Sequence, residues 1–216
     1  MSESAPTFRR EPAEKRKEAL VIATLALIAE GGVRSATVRA IAARAEVTQG
    51  LIRHYFASKE DLVMAAYEYH MSVLTNQTAA SIPVETRSYR ASLASFVEAS
   101  LKPPVVDPGA VSLWAGFLNK VREDTRMQAI HVHTYCDFRN RLELLIADAL
   151  AEAQRPTTSE ELRRLAIACN ALIDGLWMEG GALPGAFEPG ELPQIGLRSV
   201  SAIIGLELTE RDGAPS

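Results

Sequence analysis

Cysteine is scarce. Cys136 and Cys169 are the only two in the chain, which excludes a disulfide framework and fits a reducing compartment such as the cytoplasm. Both thiols read as core filler. Long apolar runs are missing too: the longest, Ala19 to Ala29, is broken by Thr24 and is too short to span a bilayer. No membrane partner is therefore expected. The opening MSESAPTFRR lacks an apolar core, so residues 1–11 read as a frayed arm and not as a signal peptide. There is no glycine-rich phosphate loop, no G-x-S-x-G and no comparable nucleophile motif, so neither a cofactor nor catalysis is expected. His131, His133 and Cys136 do not make a metal site either. On a helix, side chains two residues apart point to nearly opposite sides, and His133 with Cys136 alone supplies too few ligands.

What is present is an ordinary globular composition, 47% hydrophobic and 23% charged, in 216 residues, enough for one large domain or two small ones. The net charge of −4 is unevenly placed. Residues 1–60 hold 10 Lys and Arg against 7 Asp and Glu, while the remainder holds 13 against 20. A basic N-terminal quarter on an acidic body points to a polyanionic partner for one end.

Apolar spacing is helical throughout. Val21, Leu25 and Ile28 recur within Pro12–Gly32, where Gly31-Gly32 forms the stop. Thr37 is a good N-cap for a short helix over about 38–45, Thr48 for one over 49–56, and Ser58 for a longer one from Lys59. Further helices are expected over about 86–101, from Pro108-Gly109 onward, over 123–153, from a cap at Ser159 to about 180, and over 189–208. No alternating stretch argues for a sheet. The expected class is all-α, with about nine helices.

Three short helices joined by tight turns have the dimensions of a helix-turn-helix unit, whose last helix enters the DNA major groove by its N-terminal residues. VTQGLIRHYFASKEDL, residues 47–62, fits that role. Gly50 weakens its helix by about 1 kcal/mol relative to Ala but allows close approach to DNA. Gln49 suits adenine and Arg53 suits guanine or phosphate. Thr48, His54 and Tyr55 suit phosphate contacts, and Leu51, Ile52 and Phe56 suit packing. Lys59 stands at the positive end of a helix dipole, a placement that makes sense if ammonium and helix terminus share one phosphate.

LVIATLALIAEGG, residues 20–32, followed by ATVRAIAARAEVTQGLIRHYFASKEDL, residues 36–62, resembles the N-terminal domain of TetR-type repressors. The matching elements are the Ala-Thr opening of the second helix, the Ile-Ala-x-x-Ala-x-Val-Thr turn and the His-Tyr-Phe-x-x-Lys close. The resemblance implies a DNA-binding domain at residues 12–58, with the helix-turn-helix over residues 37–56. It puts Thr37, Arg39, Thr48, Gln49, Gly50, Arg53, His54, Tyr55 and Lys59 on the DNA side. It further implies that residues 59–216 bind a small-molecule inducer and form a homodimer, which occupies a near-palindromic operator as a repressor. An activator on the same fold, or a helical bundle using its first helices as scaffold, stays open. Glu46 stands where such turns usually carry Gly, at a cost on the order of 1 kcal/mol if the site needs a positive φ.

In the body, LAIACNALIDGLWM, residues 165–178, carries two strongly polar side chains, Asn170 and Asp174, four apart on one face that Trp177 continues. A carboxylate in so apolar a helix needs Arg or Lys, hydrogen bonds or a cationic ligand, or else lies at a dimer seam. Trp114, Phe117 and Tyr135 are candidates to join Trp177 in an aromatic box around a cation. SLWAGF and ALIDGLWMEG also resemble the choline-responsive repressors of betaine synthesis within the same family, which implies choline or a related cationic metabolite as inducer.

Overall fold

The computed structural model describes residues 13–83 and 88–208; the expected N-terminal arm and the expected helix start near Thr86 lie outside them. Among the described residues there are nine α-helices, one short 3-10 turn and no strand. The chain divides into two compact units, residues up to 69 and residues from 70 onward.

The first unit contains α1 (Ala13–Gly31), the 3-10 turn (Val33–Ser35), α2 (Val38–Arg44), α3 (Gln49–Tyr55) and the beginning of α4 (Lys59–Ala80). Each short helix starts where a side-chain oxygen replaces a missing backbone partner. Thr37 Oγ1 accepts from the Ala40 N–H at 3.1 Å, Thr48 Oγ1 from the Leu51 N–H at 3.3 Å, and Ser58 Oγ from the Asp61 N–H at 3.0 Å. Leu20, Val21, Ile28, Ile41, Ile52 and Phe56 are buried, so each helix supplies an apolar face to its own unit. Leu62, Val63, Ala66 and Tyr67 on α4 are buried as well. The division between the two units falls inside α4, between Tyr69 and His70.

The turn between α2 and α3 is closed by two reverse hydrogen bonds. The Val47 N–H donates to the Ala42 carbonyl at 2.9 Å and the Glu46 N–H to the Ala43 carbonyl at 3.3 Å. This is the Schellman closure, which requires a left-handed residue where Gly is the usual choice. Glu46 occupies that place with φ 54°.

The second unit is built from the rest of α4 with α5 (Tyr89–Ser100), α6 (Pro108–Glu123), α7 (Thr125–Glu152), α8 (Ser159–Ala182) and α9 (Glu191–Ile204). Its core joins Phe96 and Leu101 to Leu142 and Ile146 of α7, Ala166 and Cys169 of α8, and Val200 and Ile204 of α9. Cys169 is inert filler, its thiol pushed up to about 12 by burial. The cap of α8 is Thr158, not Ser159: its hydroxyl accepts from the Glu161 N–H at 3.2 Å, which makes Ser159 the first helical residue. The last helix is shorter than its apolar pattern suggested, because Gly190 and Gly205 take left-handed conformations at its two ends. Arg155 Nη1 then donates to the freed carbonyls of Ile204 and Gly205.

Replacing Glu46 by Gly relieves the left-handed strain and is expected to raise stability by up to about 1 kcal/mol. Urea unfolding of the full chain measures it; an unchanged midpoint would show that the strain is compensated locally.

Candidate functional site

Two surfaces carry the chemistry, one in each unit. In the first unit, packing sorts the residues of α3. Ile52 and Phe56 face inward, whereas Gln49, Gly50, Arg53 and His54 are exposed. Tyr55 is half-buried and meets His54 edge-on, with ring centroids 5.0 Å apart at 75°. Thr37 and Thr48 are exposed and already serve as caps, which fixes their side chains at the mouths of α2 and α3. Lys59 is half-buried, with its ammonium 3.5 Å from Glu60 Oε1.

The arginines differ in their commitments. Arg44 forms a two-pronged bond to Glu30, at 2.9 and 2.6 Å. That exposed pair joins α2 to α1 and contributes orientation more than stability. Arg39 and Arg53 are exposed and have no acidic partner among the described residues. Their guanidinium groups therefore remain available to an outside anion. Gly50 is not demanded by the protein's own packing. A Cβ there would meet Thr48 Oγ1 at an ordinary 3.8 Å. The helix tolerates a weak residue that the fold does not require, which points to a requirement outside the chain.

In the second unit a cavity of about 380 Å³ lies between α4, α5, α6, α7 and α8, within the size range of small-molecule sites. Its aromatic lining is Trp114, Tyr135, Phe138 and Trp177. Trp114 and Trp177 meet edge to face at 6.0 Å and 90°, and Trp177 Nε1 donates to the Val105 carbonyl at 2.8 Å. Phe117 does not belong to this lining. It is fully buried, and Phe138 supplies the further ring, because α7 presents positions 135 and 138 to the cavity together.

Asp174 is in the lining as well, held by neutral partners. Its Oδ2 accepts from the Tyr135 hydroxyl at 2.5 Å and from Asn170 Nδ2 at 2.8 Å. Asn170 Nδ2 also donates to the Tyr135 oxygen at 2.8 Å, which closes a triangle. Burial pushes the Asp174 carboxyl above the usual carboxylate range, and the bonds from Tyr135 and Asn170 act against that rise. Tyr135 is pushed up to about 12, first by burial and then by Asp174. No Lys or Arg pairs with Asp174 among the described residues. The open question of its partner is thus answered by hydrogen bonds within the protein, with no counter-charge.

Several lining residues went unremarked in the sequence: Met71, Leu74, Thr75 and Thr78 on α4, and Ser100 on α5. A signal existed, since positions 71, 74, 75 and 78 form one helical stripe with threonines at 75 and 78. Elsewhere, His131 lies 5.7 Å from the Tyr135 ring, and His133 is exposed. No group of three His, Cys, Asp or Glu close enough to hold a metal occurs among the described residues. No helix among them is long and apolar enough to cross a membrane.

A capped helix-turn-helix with uncommitted arginines, and a second helical unit built around a cavity, together point to a DNA-binding regulator with a ligand-sensing body. The chain belongs to the TetR family: residues 20–66 match the bacterial regulatory proteins of the tetR family, and residues 89–205 match the BetI-type transcriptional repressor C-terminal domain. It is 30% identical over 177 residues to the regulator BetI 2 of Chromohalobacter salexigens, covering 82% of each chain. With BetI of Burkholderia thailandensis it shares 28% over 176 residues, 81% of this chain and 86% of that one. Among solved structures, a transcriptional regulator of Pseudomonas aeruginosa PAO1 superposes with a TM-score of 0.79 at 30% identity, covering 93% of both chains. A regulator of Saccharomonospora viridis, solved in complex with choline, shares the fold with a TM-score of 0.69 at 18% identity, over 92% of this chain and 100% of that one.

Replacing Gly50 by Ala should strengthen α3 by up to about 1 kcal/mol and yet weaken DNA binding. Thermal unfolding and gel-shift titration on one preparation read the two effects. A gain in both would remove the reason for a glycine at this position.

Proposed function

We propose that this protein is a cytoplasmic homodimeric repressor. Its two helix-turn-helix heads, residues 12–58 with the start of α4, occupy successive major grooves of a near-palindromic operator. Thr48, Gln49, Gly50, Arg53, His54, Tyr55 and Lys59 lie at that interface, with Thr37 and Arg39 beside them. Gln49 and Arg53 read bases; the others hold phosphates or permit approach. Dimerisation uses α8 and α9, a reading supported by exposed Ile167 and Ile195 on those helices and by Leu183 just beyond α8. Residues from 59 onward form the sensor and dimer body.

The inducer in this reading is a small cation, choline or a close relative. The observation that carries it is Asp174: a half-buried carboxylate without a counter-charge, in a cavity walled by four aromatic rings. A quaternary ammonium group satisfies both features, through charge and through the ring faces, the latter worth about 2 kcal/mol when desolvated. The choline complex of the Saccharomonospora viridis regulator supports the same chemistry. Release follows from a shift between two head arrangements, one of which the ligand prefers. One element carries residues of both surfaces: α4 holds Lys59 at its start and Thr75 and Thr78 along the cavity.

Four measurements test this. Operator affinity in gel shifts should fall about 10³–10⁵-fold between 50 and 200 mM salt for 6–10 phosphate contacts, and flat binding would sink the DNA assignment. Choline at 100 times its dissociation constant should add about 2.7 kcal/mol of stability. Asp174→Asn should weaken choline binding by about tenfold or more, the loss of about 1.4 kcal/mol. In the unaltered chain, choline affinity should also decline as the solution is acidified, because the ligand needs the ionised carboxylate. The raised carboxyl begins to protonate above the usual carboxylate range, and Asp174→Asn should abolish that dependence. Equal affinity and an equal pH profile in both proteins would exclude Asp174 as the cation's partner.

A further inference from the structure

The cavity's hydrogen-bond donors are almost entirely spent inside the protein. Tyr135 donates to Asp174, both Asn170 hydrogens go to Tyr135 and Asp174, and Trp177 donates to the Val105 carbonyl. The Thr78 hydroxyl donates to Leu74 O at 3.1 Å and the Ser100 hydroxyl to Phe96 O at 2.8 Å, each back into its own helix. Among the described residues, no Lys, Arg or His lines the cavity. What these groups offer a ligand is therefore lone pairs, ring faces and one carboxylate.

Thr75 is different. It is 4% exposed, it lines the cavity, and its hydroxyl has no protein partner among the described residues. Thr78, one turn along the same helix, bonds back to its own helix; Thr75 does not. Its oxygen is not sealed off without a partner, as His70 Nε2 is among the described residues, so the hydroxyl is open to the cavity and available to a molecule that enters it. The Trp114 indole N–H is the other uncommitted donor, on a half-buried ring that already packs against Trp177.

We propose that Thr75 is a specificity-determining residue that reads a neutral polar group on the cationic effector, and that the cavity rejects effectors ending in a carboxylate. The inference rests on the cationic-effector reading above and deepens it. A carboxylate presents four acceptor sites and a full negative charge. It would meet two neutral donors, no cation, and the like charge of Asp174. An alcohol or aldehyde needs one partner, and a threonine hydroxyl both donates and accepts. Thr75 on α4 and Asp174 on α8 stand on different walls, so one small molecule has its charge and its neutral end held by separate helices.

Calorimetric titration of the full chain with tetramethylammonium, choline and glycine betaine tests this, since the three share a trimethylammonium centre and differ at the other end. Choline is expected to bind roughly fivefold to tenfold tighter than tetramethylammonium, the contribution of one added hydrogen bond. Glycine betaine is expected to bind weaker than either. Thr75→Val, nearly the same shape without the hydroxyl, should bring choline down to the tetramethylammonium level while leaving tetramethylammonium unchanged, and Thr75→Ser should retain the preference. Betaine binding as tightly as choline overturns the inference with the unaltered protein alone, whether or not a variant folds. So does an unchanged choline preference in Thr75→Val. If none of the three probes binds, the cationic-effector reading fails and this inference falls with it.

Discussion

A carboxylate cannot be enclosed by an apolar bundle without neighbours that either share its charge or accept the cost of its burial. Asp174 sits under that constraint. Tyr135 and Asn170 hydrogen-bond its Oδ2, and burial still pushes the group upward. Neighbouring elements of the second unit meet those needs. α7 must bring Tyr135 to α8, Asn170 must lie one turn before Asp174, and Trp177 is tied back to the Val105 carbonyl. A bundle built only for stability would have placed a leucine there. In the cationic-inducer proposal, this carboxyl supplies an electrostatic preference that the aromatic walls alone would supply weakly.

The first unit solves a different problem by local means. Its helices are seven residues long in α2 and α3, too short to persist by propensity. They are held by threonine caps, by a Schellman closure at Glu46 and by a few buried apolar side chains. Because inward-facing Ile52 and Phe56 anchor α3, its opposite side is free to carry exposed polar groups such as Gln49 and Arg53. Arg44 illustrates the contrast: it is neutralised by Glu30, while Arg39 and Arg53 have no acidic partner among the described residues. The distribution of ion pairs thus separates cations that hold the fold from cations that face outward.

The helices were legible because helix signals are local. Apolar spacing, the Thr37, Thr48 and Ser58 caps and the Gly31 stop each act within a turn or two, and the described helices follow them closely. The misplaced details were also local competitions: Thr158 outcompetes Ser159 as a cap by one residue, and left-handed Gly190 and Gly205 trim α9. The division inside α4 was not legible, because nothing in a continuous helical pattern marks where its packing partners change.

The cavity shows the same limit. Asn170, Asp174 and Trp177 were readable as one face of a helix, since a period of 3.6 residues puts them together. Which rings join them was not, for that depends on how α6 and α7 are rotated against α8. Phe117 and Phe138 are equally plausible as letters, and tertiary packing buries the first and presents the second. Nor could the sequence reveal that Thr78 spends its proton on its own helix while Thr75 keeps its proton free. By itself, then, the sequence determined the helices, their caps and the chemistry offered on each face, because those depend on neighbours along the chain. The tertiary structure alone decided which faces meet, and with them the shape and hydrogen-bonding character of the cavity, because those depend on side chains from helices far apart in sequence.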